Sequence, residues 1–175
     1  MQFALQTGNP KVVSPTEQRF ADLAHAIQFI FPMETEDAVL SWNHVPILLN
    51  YKYDMSTLID DLVPLLKSLL SADEGHTLVK WGSDTFLAHW DVRWSKGVVS
   101  IDARWSEVSG GYKELLNERG KVELPLASFV AEWRGVLAVI ADAIERSGVE
   151  LDDDSTLRDL RSVVAASGQR GRLYA

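Results

Sequence analysis

Cysteine is absent from the 175 residues of this chain. Its absence excludes disulfide bridges, thiolate metal sites and cysteine nucleophiles. No apolar run approaches the roughly 20 residues that a membrane-spanning helix needs, and residues 1–11 lack the basic and apolar segments of a secretion signal. We therefore expect a cytoplasmic protein that has no membrane partner.

Basic residues are in the minority. The chain has 17 lysines and arginines against 25 aspartates and glutamates, a net charge of −8, and its isoelectric point is near 4.9. This balance disfavours nucleic acid as a main partner and favours a basic one, although in most acidic proteins it serves solubility. The length and the 46% share of apolar residues predict one domain over residues 1–175.

Local signatures of catalysis are missing as well. The chain has no G-x-S-x-G elbow, no P-loop or G-x-G-x-x-G, and no H-E-x-x-H. The four histidines, at positions 25, 44, 76 and 89, include no pair at the spacing of two or four residues that would place both on one face of a strand or helix. The sequence therefore predicts a protein that is not an enzyme and has no metal or cofactor.

The most informative stretch that is present runs from His76 to Ser106. Apolar and polar residues alternate along it with the period of a half-buried strand. The apolar positions are Phe86, Ala88, Trp90, Val92, Trp94, Val99, Ile101, Ala103 and Trp105. Matching these faces across a hairpin places Trp94 opposite Val99 and Asp91 opposite Asp102, with a turn at Lys96-Gly97.

The same matching predicts a third strand, residues 76–81, ahead of this hairpin. A turn at Gly82-Ser83 would place Val79 opposite Phe86, since glycine adopts the positive φ of tight turns. Residues 38–53 also favour β structure, with a turn at Asn43-His44 and with Pro46 on an edge strand because proline donates no ladder hydrogen bond. Residues 1–13 predict either a frayed start or an edge strand.

Helical patterns flank these strands. Ser14, Pro15 and Glu17 form a capping-box pattern ahead of a helix that ends at Pro32. A leucine stripe predicts a helix over residues 54–71, and Pro64 leaves open whether that helix kinks or begins later.

The longest helix opens at Pro125 and ends before Gly148. Asp154 or Ser155 caps a last helix, and residues 169–175 form a loose tail. The fold class is therefore α+β, with a central antiparallel sheet of about five or six strands and helices packed on one face.

The polar face of the predicted hairpin groups His89, Asp91 and Asp102. One imidazole and two carboxylates suit a divalent cation or a general acid and base. Arg93 and Arg104 stand among them, however, and they would repel a metal and form salt bridges with the carboxylates. A charged, solvated face or a recognition surface on a rigid strand pair therefore competes with the chemical interpretation.

Several segments together resemble a known class of proteins. They are the tryptophan-bearing strands Leu87-Ala88-His89-Trp90 and Ser100-Ile101-Asp102-Ala103-Arg104-Trp105, and Phe129-Val130-Ala131-Glu132-Trp133 at the start of the long helix. Roughly over residues 38–147, this small, acidic, cysteine-free chain resembles immunity proteins of bacterial polymorphic-toxin and contact-dependent growth inhibition systems. The resemblance implies a cytoplasmic protein that binds a cognate toxin domain, often a nuclease, and blocks its active site or substrate path.

The resemblance carries over no functional residue by position, so the candidates come from charge and placement. The proposed toxin-binding residues are Asp73, Glu74, Asp91, Arg93, Asp102, Arg104 and Glu107. An acidic inhibitor is steered toward a basic toxin domain, and we expect the chain itself to be a monomer or a weak homodimer. The alternative is an enzyme or small-ligand-binding protein with its site at His89, Asp91 and Asp102.

Overall fold

A computed structural model describes residues 2–166 of the chain. The strands are β1 (Phe3–Gln6), β2 (Arg19–Phe20), β3 (Ala38–Trp42), β4 (Val45–Leu49), β5 (Gly75–Gly82), β6 (Phe86–Ser95), β7 (Val98–Val108), β8 (Lys121–Pro125) and β9 (Glu150–Leu151). The helices are α1 (Leu23–Ile30), α2 (Ser56–Ser71), α3 (Lys113–Glu118), α4 (Leu126–Ser147) and α5 (Ser155–Ala165). A π-helical turn, Tyr51–Met55, leads directly into α2.

The strands form two antiparallel sheets, which confirms the α+β class. The larger sheet has the order β5-β6-β7-β8 and the smaller one has the order β1-β3-β4, while β2 and β9 form a separate parallel pair. The predicted sheet of five or six strands is thus divided into sheets of four and three. The division follows from burial, because the smaller sheet and α4 both pack against the aromatic face of the larger one.

Five indole rings join these layers. Trp90 of β6 lies 4.9 Å from Trp42 of β3 and 5.1 Å from Trp81 of β5, measured between ring centroids. Trp42 also contacts Trp105 at 5.4 Å, and Trp81 stacks on Trp133 of α4 at 6.5 Å. Each ring is at most 3% exposed. Burial on this scale makes the tryptophan cluster the main hydrophobic contact between the two sheets and α4.

Four of these indoles bury their N–H groups without a conventional acceptor within residues 2–166. The groups belong to Trp81, Trp90, Trp105 and Trp133. Several neighbouring rings meet edge to face, such as Trp81 and Trp90 at 72°. This arrangement brings positive ring edges toward negative ring faces and partly compensates for the missing hydrogen bonds.

The β6–β7 hairpin has the predicted register. Trp94 faces Val99 and Asp91 faces Asp102. Lys96 and Gly97 form the turn with φ values of 50° and 76°, the left-handed pair that a two-residue hairpin favours. The turn at Asn43 and His44, with φ values of 44° and 69°, confirms the other predicted hairpin.

The β5–β6 register differs from the prediction. Val79 pairs with Trp90, not with Phe86, and the turn lies beyond Gly82 at Asp84-Thr85. The shift conserves the parity of the pairing, so the same side chains remain buried. Its cause is a tertiary contact that a local turn preference does not include.

That contact is the carboxylate of Asp54, which is fully buried. It accepts a hydrogen bond from the Thr85 backbone N–H at 3.0 Å and another from the Thr85 hydroxyl at 2.6 Å. A third comes from the Asn50 N–H at 2.7 Å. Asp54 therefore fixes the β5–β6 turn to the segment that precedes α2.

The predicted start of the first helix is also wrong. Helix α1 begins at Leu23, and the Asp22 side chain caps it by accepting from the His25 N–H at 2.8 Å. Neither Ser14 nor Glu17 belongs to a helix. The residues just before α1 pair instead with β9, where the Glu150 N–H donates to the Gln18 carbonyl at 2.8 Å, so a distant strand overrides the local capping pattern.

Helix α2 is continuous through Pro64, which answers the question that the sequence left open. Helix α4 ends at Gly148, whose φ of 65° is left-handed, as predicted. Helix α5 follows Asp154 at its N-cap.

Residues 3–6 form an edge strand, and Pro46 lies on the edge strand β4. No helix in the part of the chain that the structure describes is long and apolar enough to cross a membrane. The predicted loose tail, residues 169–175, lies outside the described residues.

Substituting Asp54→Ala is expected to lower the free energy of unfolding by about 3 kcal/mol, because three partly buried donors lose their acceptor. Urea denaturation measures the loss. The matched control is Asp84→Ala, which removes an exposed carboxylate from the same turn and should change stability by no more than about 0.5 kcal/mol. Equal effects of the two substitutions would show that Asp54 does not hold the turn.

Candidate functional site

The larger sheet turns a second surface to solvent, which we call the polar sheet face. It consists of His76, Leu78 and Lys80 on β5, Leu87, His89, Asp91 and Arg93 on β6, Ser100, Asp102 and Arg104 on β7, and Lys121 and Glu123 on β8. All of these residues are exposed except Asp91, which is half-buried. They alternate along the strands with the residues that pack into the tryptophan core.

Asp91 is the most connected residue of the polar sheet face. Its Oδ1 lies 3.0 Å from His76 Nε2, and its Oδ2 accepts from Arg93 Nη2 at 2.9 Å. On the neighbouring strand Asp102, which faces Asp91 in the register, lies 3.5 Å from Lys121 Nζ. Each carboxylate of the facing pair therefore has its own cationic or imidazole partner.

His89, Asp91 and Asp102 share this face as predicted, but the imidazole that pairs with Asp91 belongs to His76. His89 lies opposite Lys80 on one side and opposite Arg104 on the other. No group of three or more histidines, aspartates or glutamates within residues 2–166 is arranged to hold a metal ion. The polar contacts of Asp91 and Asp102 are ion pairs within β6, between β5 and β6 and between β7 and β8.

The predicted toxin-binding residues divide into three places. Asp91, Arg93, Asp102 and Arg104 lie on the polar sheet face. Asp73 and Glu74 lie at one corner of it, in the short segment between α2 and β5. Glu107 lies at the far end of β7, opposite Leu87, beside a shallow depression of about 190 Å³.

Sequence reasoning missed His76, Leu78 and Lys80 as members of the site. The predicted β5 register would have placed His76 opposite His89, whereas the structure places it opposite Arg93 and within reach of Asp91. Leu78, with 69% of its surface exposed, was detectable as a leucine at a polar position of the alternating pattern. A single exposed apolar side chain is common on protein surfaces, and its placement beside Lys80 and Asp91 is what makes it part of this face.

The polar sheet face is not where the chain's acidic excess lies. Its basic residues are Lys80, Arg93, Arg104 and Lys121, and its acidic residues are Asp91, Asp102 and Glu123. Charges of both signs are therefore nearly balanced on this surface. Other acidic groups of the described residues cluster elsewhere, in part on and around α2.

One such cluster borders a groove between α2 and β5, which we call the edge groove. The groove has a volume of about 460 Å³. Its walls are Asp60, Asp61, Pro64, Leu65 and Ser68 of α2, and Thr77, Leu78, Val79 and Lys80 of β5. The edge groove therefore adjoins the polar sheet face, since Leu78 and Lys80 belong to both.

The electrostatics of the edge groove centre on Asp60. Partial burial raises the pKa of this carboxyl, and the negative charges of Asp22, Asp61 and Asp153 raise it further. The Thr156 hydroxyl, which donates to Asp60 Oδ1 at 3.4 Å, acts in the opposite direction. Four carboxylates thus repel one another on this side of the molecule.

Comparison of the chain with protein-family models, with curated proteins and with solved structures finds no match. Functional inference therefore depends on the two surfaces just described.

Substituting Asp60→Asn is expected to stabilise the protein at neutral pH. The pKa of Asp60 is higher in the folded state than its ordinary value of 3.8, so the folded state binds the proton more tightly. Ionisation consequently costs stability as the pH rises through this window. Thermal unfolding from pH 3 to pH 8 should show a higher Tm for the variant at pH 7 and no difference below about pH 3.8.

Asp84→Asn is the control, because it removes one negative charge from an exposed position in the β5–β6 turn. Its Tm should follow that of the wild type more closely at every pH. If Asp60→Asn gives no gain at pH 7, the carboxylates around the edge groove do not repel one another as described.

Proposed function

We propose that this chain is an immunity protein of a bacterial polymorphic-toxin or contact-dependent growth inhibition system. It acts in the cytoplasm, where it binds a cognate toxin domain and neutralises it by protein–protein contact. The observation that carries this proposal is the polar sheet face, a surface of paired strands with one side packed on the core and the other uncovered by any helix within residues 2–166.

The order of this surface supports binding. Strands β6 and β7 each pair with a neighbouring strand on both sides, and the side chains of their other face are buried in the tryptophan core. Ion pairs such as Arg93–Asp91 and Lys121–Asp102 hold long side chains in place before a partner arrives. Little conformational entropy is then lost on association, which favours affinity.

The composition of the surface also suits a protein partner. Leu78 and Leu87, which are 69% and 40% exposed, supply apolar contacts among the charges. Arginine is enriched at interface hot spots because it combines apolar stem, planar head and several donors. Arg93 and Arg104 are therefore the residues most suited to anchor a partner on this face.

The acidic excess contributes at longer range. A net charge of −8 attracts a basic toxin domain and raises the association rate, while the mixed charges of the polar sheet face select the bound orientation. The carboxylates beside the edge groove extend this attraction to the β5 side of the surface. The carboxylates that attract the toxin domain therefore adjoin the polar sheet face that binds it.

Replacing Arg93→Glu and Arg104→Glu together is expected to abolish protection against the cognate toxin domain. Reversal of two anchoring charges should weaken binding by about 100-fold or more. Growth of bacterial cells that co-express the toxin domain measures protection, and titration calorimetry on the purified pair measures affinity.

The matched control is Lys113→Glu with Arg161→Glu, which makes the same charge change at exposed positions of α3 and α5. Because the control should retain protection, it separates the loss of a contact from the loss of net charge. The proposal is refuted if wild-type protein forms no complex with the toxin domain and gives no protection.

A further inference from the structure

The edge strands of the two sheets differ in how they are protected against pairing with another strand. Pro46 blunts β4, and the Leu5 N–H of β1 donates to Glu132 Oε2 at 2.7 Å. On β8, the Lys121 carbonyl accepts from Asn43 Nδ2 at 2.8 Å. Such devices protect edge strands from adventitious pairing. Strand β5 is the remaining edge of the larger sheet, and beside it lies the edge groove.

The hydrogen-bond pattern shows which groups of β5 face the groove. The Ser83 N–H donates to the Phe86 carbonyl at 3.0 Å, which marks these two residues as a hydrogen-bonded pair. Hydrogen-bonded and non-hydrogen-bonded pairs alternate along antiparallel strands. Val79 belongs to the second hydrogen-bonded pair beyond Ser83, so its backbone N–H and C=O groups point toward β6. Leu78 and Lys80 consequently direct their N–H and C=O groups outward, into the edge groove.

The opposite wall offers acceptors for positive charge. Asp60 and Asp61 project from α2 beside the groove. Pro64 has no N–H to donate to the carbonyl of Asp60, so that carbonyl loses its usual helical donor on the same side of the helix. One wall therefore matches an extended backbone, and the other matches basic side chains.

We infer that the edge groove binds an extended segment of the partner that carries lysine or arginine, and that this segment adds to β5 as a fifth strand of the larger sheet. Four residues of β5 line the groove, roughly 13 Å of strand, and main-chain hydrogen bonds along them provide affinity. The inference deepens the proposed function and rests on it for the identity of the partner, a toxin domain.

The charges select this occupant over a second copy of the chain. Two copies paired through β5 would bring two sets of Asp60 and Asp61 toward each other, and like charges at close range oppose association. A basic segment instead relieves the repulsion among the carboxylates around Asp60. Contact with this segment would extend the partner's footprint continuously from the polar sheet face onto the edge.

The experiment uses the full chain and a defined probe, an acetylated heptapeptide of alternating valine and lysine. Amide hydrogen exchange, followed by NMR, should show fast exchange at Leu78 and Lys80 in the free protein and slow exchange at Val79. Saturating peptide should slow exchange at Leu78 and Lys80 by about tenfold or more. The change should be confined to the outward amides of β5.

Two further peptides test the chemistry of recognition. A valine–glutamate heptapeptide should not bind, because its charges match those of Asp60 and Asp61. Valine–lysine peptides that are N-methylated at all valines or at all lysines test the hydrogen bonds, and at least one of them should lose binding. If both methylated peptides bind as well as the parent, attraction is only electrostatic and the inference is overturned.

Protein variants complete the test. Asp60→Asn with Asp61→Asn should weaken the valine–lysine peptide roughly tenfold. The control pair Glu114→Gln and Glu118→Gln removes the same charge from exposed positions of α3 and should have no effect. Leu78→Pro should also weaken binding, because it removes an outward N–H but no ladder bond.

The outcomes separate this inference from the proposed function. Equal binding by the Asp60 and Asp61 variants and the wild type would overturn the inference, as would a dimer of the chain that seals β5. If protection against the toxin still depended on Arg93 and Arg104 in that case, the immunity function would stand without strand addition. Peptide binding without any protection would instead refute the immunity function alone.

Discussion

Burial of the tryptophan face is the constraint on which the rest of this structure depends. An antiparallel strand that places Trp90 and Trp94 on one side must hide that side, and one helix is too narrow to cover four strands. Helix α4 supplies Trp133, and the smaller sheet supplies Trp42, which lies 4.9 Å from Trp90. Once both have packed against the face, the opposite side of the sheet is left open. The open surface is therefore a consequence of how the core is built.

The buried carboxylate of Asp54 fixes the β5–β6 register, which hydrophobic burial alone does not determine. Any register of the same parity buries the same face of the strand, so the alternating pattern does not specify which of these registers forms. Asp54 removes this degeneracy, because a fully buried carboxylate must find donors and finds them at Thr85 and Asn50. The chosen register brings His76 beside Asp91 and places Leu78 and Lys80 along the edge groove. A polar contact that belongs to neither surface thus shapes both.

The distribution of charge differs between the two surfaces. The polar sheet face carries nearly balanced charges that pair with one another, an arrangement that favours orientation and specificity. Several carboxylates gather near Asp60. Partial burial and then their mutual repulsion raise the pKa of this residue at a cost in folding stability. The cationic partner that we propose would neutralise these carboxylates and remove the cost. Both surfaces belong to the contact that we propose with a toxin domain.

The sequence by itself determined the α+β class, the strand faces, the Lys96-Gly97 hairpin with Asp91 opposite Asp102, and the end of the long helix at Gly148. These features follow from period-two alternation and from local backbone preferences, which neighbouring residues specify. Tertiary structure alone decided the β5 register, the start of α1 at Leu23 and the division into two sheets. Each of those depends on residues far apart in the chain, Asp54 with Thr85, Gln18 with Glu150, and Trp42 with Trp90. No local pattern encodes such pairings, because their free energy appears only when the chain has folded.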